Sequence, residues 1–266
     1  MDCHFVPIIH LLTTDVTLED QPLTFTSLSS NQILVTDYDN DAQTVTINVT
    51  GGTITLSGTT GLTFTSGDGN SDASMIFSGS LVDVNNALNN AVFTPESNYS
   101  GTATVQVKSS DGLGEDVKII NVAVTPVNDN PVINDVNMLC AEDNFITFAP
   151  SDFTNSYSDP DNDALNKIKI ITLPPYGVLK LSGVAVTAGQ EISFAQLGNL
   201  IYVPDANWNG AITCDYNSSD GTLYASTSKK IWLTVTPVND KPVLSDIYKS
   251  SAVNAATSFA TSDFTA

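Results

Sequence analysis

The string VTPVNDNPVI at residues 124–133 returns almost unchanged as VTPVNDKPVL at residues 235–244, 111 residues on. Repetition at this period constrains the fold more than any other feature, because each copy must form the same supersecondary unit. The surrounding motifs recur in the same order, with insertions that shift the spacing between copies. VFTPESNYSGTATVQVKSSDG (92–112) matches IYVPDANWNGAITCDYNSSDG (201–221) without a gap, TLEDQPLTF (17–25) corresponds to CAEDNFITF (140–148), and DYDND (37–41) corresponds to DPDND (159–163). A third copy begins at KPVL, and its TSFATSDFTA (257–266) echoes ITFAPSDFTN (146–155). The expected organisation is an irregular segment at 1–13, one repeat at 14–129, a second at 130–240 and the start of a third at 241–266.

Within each copy the apolar residues alternate. Val45, Ile47 and Val49 share one face of TVTINVT, Ala103, Val105 and Val107 one face of TATVQV, and Ile231, Leu233 and Val235 one face of KIWLTVTPV. That period of two predicts half-buried strands, separated by Gly- and Asn-rich turns. Only LVDVNNALNN, with Leu81, Val84 and Leu88 on one side, predicts a short helix. About seven short strands in ~110 residues predict an all-β, immunoglobulin-like Greek-key sandwich for each copy, the copies strung end to end. Amphipathic helices between strands are missing, which argues against a parallel α/β fold.

The charge is one-sided: 29 acidic residues against 9 basic ones leave −20. No basic patch can displace counterions from phosphates, so nucleic acid and anionic membranes are poor partners, whereas cations are attracted. The three cysteines, Cys3, Cys140 and Cys214, make no disulfide framework, and Cys214 is expected as a buried free thiol. No apolar run reaches the ~20 residues of a transmembrane helix. The opening MDCHFVPIIHLL lacks the basic start and the cleavage site of a signal peptide. The two histidines, His4 and His10, both precede the repeats, which leaves little room for His-based acid–base or zinc chemistry. The acids recur in both copies, which suits a structural role better than one active site, so no enzymatic activity is expected.

The order ED, D-x-DND, TP…NY-x-G, SSDG and VTPVND-x-PV resembles cadherin-like repeats, and more specifically the tandem repeats of large bacterial surface adhesins, over residues 14–266. The resemblance implies β-sandwich modules with Ca²⁺ at their junctions, in an extracellular or cell-surface protein whose partners are calcium, neighbouring repeats of the same chain and a polysaccharide or host surface. It implies ligands residue by residue. Glu19 and Glu96 come from the first copy, Asn128, Asp129 and Asn130 from the linker, and Asp159, Asp161 and Asp220 from the second copy. At the front, Asp37, Asp39 and Asp111 have no matching linker, because HFV stands where VND belongs. At the back, Glu142, Asp205, Asn239 and Asp240 correspond to Glu19, Glu96, Asn128 and Asp129, but Val253 and Asn254 replace the Glu-Asp pair of the third copy. Pro126 stands where the family usually has an acid, which removes one ligand.

The residue types suit this chemistry, since Ca²⁺ takes six to eight hard oxygen ligands. Two carboxylates ~4 Å apart repel by ~4 kcal/mol at an effective dielectric near 20, so such clusters are either solvated apart or bridged by a cation. An EF-hand is excluded. From Asp159 its sixth and twelfth positions fall on Ala164 and Ile170, and from Asp37 on Ala42 and Asn48, where Gly and an acid are needed. Asp and Asn also serve β-turns by bonding their own backbone, and that reading stands beside the metal reading for every motif. An alternative function, a polysaccharide-binding module of a matrix or biofilm protein, rests on Tyr99 and Trp208, at equivalent places in the two copies, either as sugar platforms or as packing residues.

Overall fold

The computed structural model describes residues 5–242 and 246–264; Cys3, His4 and part of the third KPVL string lie outside them. The chain forms two compact units, one of residues 1–131 with Ser158–Ala164 and one of residues 132–157 with 165–266. The strands of the first are β1 (Ile8–His10), β2 (Thr14–Leu18), β3 (Leu23–Phe25), β4 (Leu34–Thr36), β5 (Gln43–Thr50), β6 (Gly52–Thr55), β7 (Thr63–Ser66), β8 (Ser74–Gly79), β9 (Ala91–Pro95), β10 (Gly101–Ser110) and β11 (Glu115–Thr125), with helix α1 (Leu81–Leu88) before β9. A six-stranded sheet, β2-β11-β10-β5-β8-β7, and a three-stranded sheet, β3-β9-β6, carry the two walls of its core, and β1 pairs with β4.

The alternation in the sequence places the core. Val45 and Ile47 on β5, Ala103, Val105 and Val107 on β10 and Val122 on β11 are buried and join one cluster with Phe25, Ile54 and Phe93 from the smaller sheet. Between them, Thr44, Asn48 and Thr50 of β5 face outward. Helix α1 starts at Ser80, whose hydroxyl accepts from Asp83 N at 3.2 Å, and buries Val84, Ala87 and Leu88. That cap satisfies one of the free N–H groups of the first turn.

The second unit repeats the plan with β12 (Val132–Ile133), β13 (Val136–Ala141), β14 (Ile146–Thr147), β15 (Tyr157–Ser158), β16 (Lys167–Ile170), β17 (Val178–Leu181), β18 (Val184–Ala185), β19 (Glu191–Ser193), β20 (Leu200–Val203), β21 (Gly210–Ser219) and β22 (Lys229–Thr236), and with helix α2 (Pro150–Thr154) after β14. Sheets β13-β22-β21-β16-β19 and β14-β20-β17-β18 enclose a separate cluster around Phe148, Phe153, Tyr202 and Tyr216. Cys214 is buried there as a free thiol, pushed up to about 12 by burial. Cys140 is also free and half-buried. Beyond residue 245 the described residues are almost all exposed, with one short 3₁₀ turn at Thr261–Asp263. No described helix is long and apolar enough to cross a membrane.

In both units the first long strand runs parallel to the last: β2 pairs with β11 and β13 with β22. The repeated ED dipeptide therefore leaves the sheet beside the residues that end the last strand. Glu19 N donates to Thr125 O at 2.9 Å, and Glu142 N to Thr236 O at 2.8 Å.

Both tryptophans, Trp208 and Trp232, lie in the second unit, so their emission reports that core alone. Phe93→Ala removes a fully buried ring from the first core and should cost about 3–5 kcal/mol. The expected result is a lowered unfolding transition by circular dichroism with the tryptophan transition unmoved; a tryptophan transition that falls in step would mean the two cores are not independent.

Candidate metal centre

Glu19 follows β2 directly and is 3% exposed. Its Oε1 accepts from Val127 N, while its Oε2 is buried with no hydrogen-bond partner. Asp129 lies two residues beyond Val127. Its backbone N donates to Asp161 Oδ2 at 2.7 Å, and its own Oδ2 is likewise buried without a partner. Asp161 is presented by the loop Ser158–Ala164, which by packing belongs to the first unit although the repeat register counts it with the second copy. That loop is folded on Asp159, whose Oδ1 accepts from Asp161 N at 2.9 Å and Asp163 N at 3.3 Å.

One carboxylate oxygen from each of Glu19, Asp129 and Asp161 lies within 4.8 Å of the others. At that spacing two full charges repel by about 3–4 kcal/mol at an effective dielectric near 20. A buried acceptor with no donor costs about 1–3 kcal/mol more. Burial pushes the Asp129 carboxyl above its ordinary 3.8, and the negative charges of Asp161, Asp20, Glu19 and Asp159 add to the rise. No lysine of the described residues is paired with any of the three.

The donor set fits a hard divalent cation. Calcium–oxygen bonds of ~2.3–2.6 Å let one ion touch oxygens that stand up to ~5 Å apart, whereas the ~2.0–2.1 Å bonds of Mg²⁺ require the three to draw in. Beside the cluster, in the same unit, Pro126, Asn128, Asp161 and Asp163 line a cavity of about 600 Å³ with Asn98, Tyr99, Ser100, Pro160 and Asn162. Side-chain and backbone oxygens there can complete a coordination sphere that three carboxylates leave unfilled.

The other candidates stand elsewhere or serve other ends. Asn128 and Asn130 flank Asp129, and the Asn128 amide donates to Asp129 O at 3.0 Å. Glu96 is exposed and outside the cluster, its carbonyl accepting from Tyr99 N at 3.1 Å in the turn after β9. Asp111 Oδ1 accepts from Leu113 N and Gly114 N, both at 2.7 Å, and Asp220 Oδ1 accepts from Thr222 N and Leu223 N, so both shape hairpin turns. Asp37 accepts from the Gln43 amide at 2.7 Å and Asp39 from Phe5 N at 2.7 Å. In the second unit Glu142 accepts from Val238 N and from the Asn209 amide, Asp205 is exposed with its carbonyl bonded to Trp208 N, and the Asn239 amide donates to Asp240 O at 3.2 Å. Asp20 was not foreseen. It sits at φ 56°, accepts from Asn98 N at 3.2 Å and adds negative charge at Asp129. The ED dipeptide, present in both copies, was its signal.

Because the folded-state pKa of Asp129 lies above the unfolded value, the stability its protonation contributes is present below about 3.8 and is lost as pH rises through the folded value. In chelator, Asp129→Asn should therefore melt above the unsubstituted chain at neutral pH, with the advantage closing as pH falls toward 3.8. An advantage that does not change with pH would mean that the charge of Asp129 is not the source of the strain.

Residues 128–234 match the family model of a bacterial Ig domain. No curated protein matches the chain. Among solved structures, the endo-fucoidan hydrolase MfFcnA4 from glycoside hydrolase family 107 is similar at 17% identity and a TM-score of 0.27, over 88% of this chain and 29% of that one. The chain thus spans about a third of the length of these hydrolases. Human protocadherin-24 EC1-2 (form II) is similar at 16% identity and a TM-score of 0.40, over 89% and 99% of the two chains. Protocadherin gamma B7 extracellular cadherin domains 1–4 are similar at 8% identity and a TM-score of 0.39, over 94% and 56%. The chain is a tandem of two all-β sandwich units, and its residues 128–234 carry the match to a bacterial Ig domain.

Proposed function

We propose that the chain is a calcium-binding, non-enzymatic repeat region of a cell-surface or secreted adhesin. The observation that carries this reading is the pair of buried, unpartnered carboxylate oxygens, Glu19 Oε2 and Asp129 Oδ2, beside Asp161. Three acids held this closely, with a raised pKa on the central one, are the signature of a site built for positive charge. Glu19, Asp129 and Asp161 would hold the ion, and oxygens from the Pro126–Asn130 segment and the cavity beside it would fill the remaining positions. A bound calcium ion supplies the charge that offsets the three carboxylates. The loop Ser158–Ala164 then stays fastened to the end of the first unit, and since Leu165 leads from it into β16, the hand-over between repeats stiffens.

The aromatic pair behind the polysaccharide reading is engaged in packing. Tyr99 packs on the first core and donates to Thr102 O at 2.8 Å, and Trp208 packs on the second core and stacks on Tyr176 with ring centroids 5.2 Å apart. Adhesion by a rod of such units, rather than by a sugar platform on each, is therefore the reading we favour.

Extracellular calcium modules bind with Kd ~10⁻⁴–10⁻³ M. At ten times Kd one site stabilises by ~1.4 kcal/mol, about 3–6 °C for a unit of this size. Calcium at 1–10 mM is expected to raise the melting transition of the first unit by that amount, and Glu19→Gln should abolish the rise. A chain whose melting is the same in calcium and in chelator, and that gives no heat on calcium titration, would sink the proposal.

A further inference from the structure

The two units close their ends with the same glutamate, in different ways. Glu19 and Glu142 are both buried, at 3% and 4% exposure, and each accepts through Oε1 from a backbone N–H just past the last strand, Val127 or Val238. The second oxygens differ. Glu19 Oε2 has no hydrogen-bond partner, whereas Glu142 Oε2 accepts from the Asn209 amide at 3.3 Å. In the register that superposes NYSG on NWNG, the position of Asn209 is Ser100 in the first unit. A serine hydroxyl hangs directly from Cβ, one bond short of the reach of an asparagine amide nitrogen, and Glu19 Oε2 is left unmet.

We infer that the Asn209 amide does at the end of the second unit what a cation does at the end of the first, so that the residue at this one position decides whether a unit needs calcium. The inference rests on the reading of Glu19 as a calcium ligand and adds that Glu142 is not one. The Glu142 carboxylate is satisfied by two N–H donors from its own unit, a state that a bound ion would have to break. Calcium binding by this chain therefore depends on Glu19 and is indifferent to Glu142, although the two glutamates occupy the same place in the repeat.

The test uses the full chain and calcium chloride alone, by titration calorimetry and by melting in chelator. Glu142→Gln should leave the calcium isotherm unchanged, with its fold checked by tryptophan emission. Ser100→Asn should weaken calcium binding about tenfold, because the new amide competes for Glu19 Oε2, and should raise the chelator melting transition of the first unit. Asn209→Ser should lower the tryptophan-reported melting of the second unit in chelator. Loss of bound calcium in Glu142→Gln, or an unaltered isotherm and melting in Ser100→Asn, would overturn the inference. If the unsubstituted chain bound no calcium at all, the reading of Glu19 would fail by itself, while the Asn209→Ser melting would still decide whether the amide is what stabilises Glu142.

Discussion

The parallel pairing of β2 with β11, in register from Thr14 beside Asn121 to Leu18 beside Thr125, determines where the charge of this chain is concentrated. A strand entering parallel to the last one must stop where the last one stops. The residue after it is then delivered to the exit of the unit, beside the backbone leading to the next repeat. Here that residue is Glu19, and its amide extends the ladder by one more bond, to Thr125 O. The side chain is carried inward with it, away from water. An acid in that position has to find donors or a cation. The backbone supplies Oε1 with Val127 N–H and supplies Oε2 with nothing.

How an acid is received depends on its donors rather than on its type. Asp135 and Asp129 make the contrast. Asp135 accepts from Lys230 N at 2.9 Å and Trp232 Nε1 at 3.0 Å, and those hydrogen bonds hold its carboxyl below the ordinary value. Asp129 is held above it, first by burial and then by the acids that ring it. The first aspartate joins β22 to the chain before β13 and has its donors in place. The second is stored strain, which makes the segment around it responsive to whatever supplies positive charge.

Much of this was legible in the sequence. The strand faces, the single helix of the first unit and the buried Cys214 follow from periodicity, because packing enforces the same alternation that the residues display. Glu19, Asp129 and Asp161, whose oxygens lie within 4.8 Å of one another, are among the ligands that the resemblance implies. What the letters do not carry is the direction of a carboxylate. Asp111 and Asp220 sit in identical SSDG strings that suit either a metal or a turn, and in both cases the side chain reaches two residues forward to its own backbone. Asp37 and Asp159 open the same D-x-DND motif and each accepts from the N–H two residues on, yet Asp37 also meets the Gln43 amide, while the loop of Asp159 presents Asp161 to Asp129 N. Tertiary neighbours decide these outcomes, and Gln43 has no counterpart at the corresponding place in the second copy.

The net charge gives the cluster its setting. The first unit holds 18 acidic residues and two lysines, the second 11 and seven, so sixteen of the twenty net negative charges belong to the first. A field of that sign raises the local concentration of divalent cations around the first unit, and physiological salt confines its reach to ~8 Å. Over longer distances the asymmetry therefore adds little, and the selection falls to the buried oxygens. On the calcium reading proposed above, that division of labour would let a chain carry acids over its whole surface and still hold a cation at one place. Exposed carboxylates lose their charge repulsion to water and salt, whereas a group such as Glu19, walled from both, needs a donor or a positive charge placed beside it.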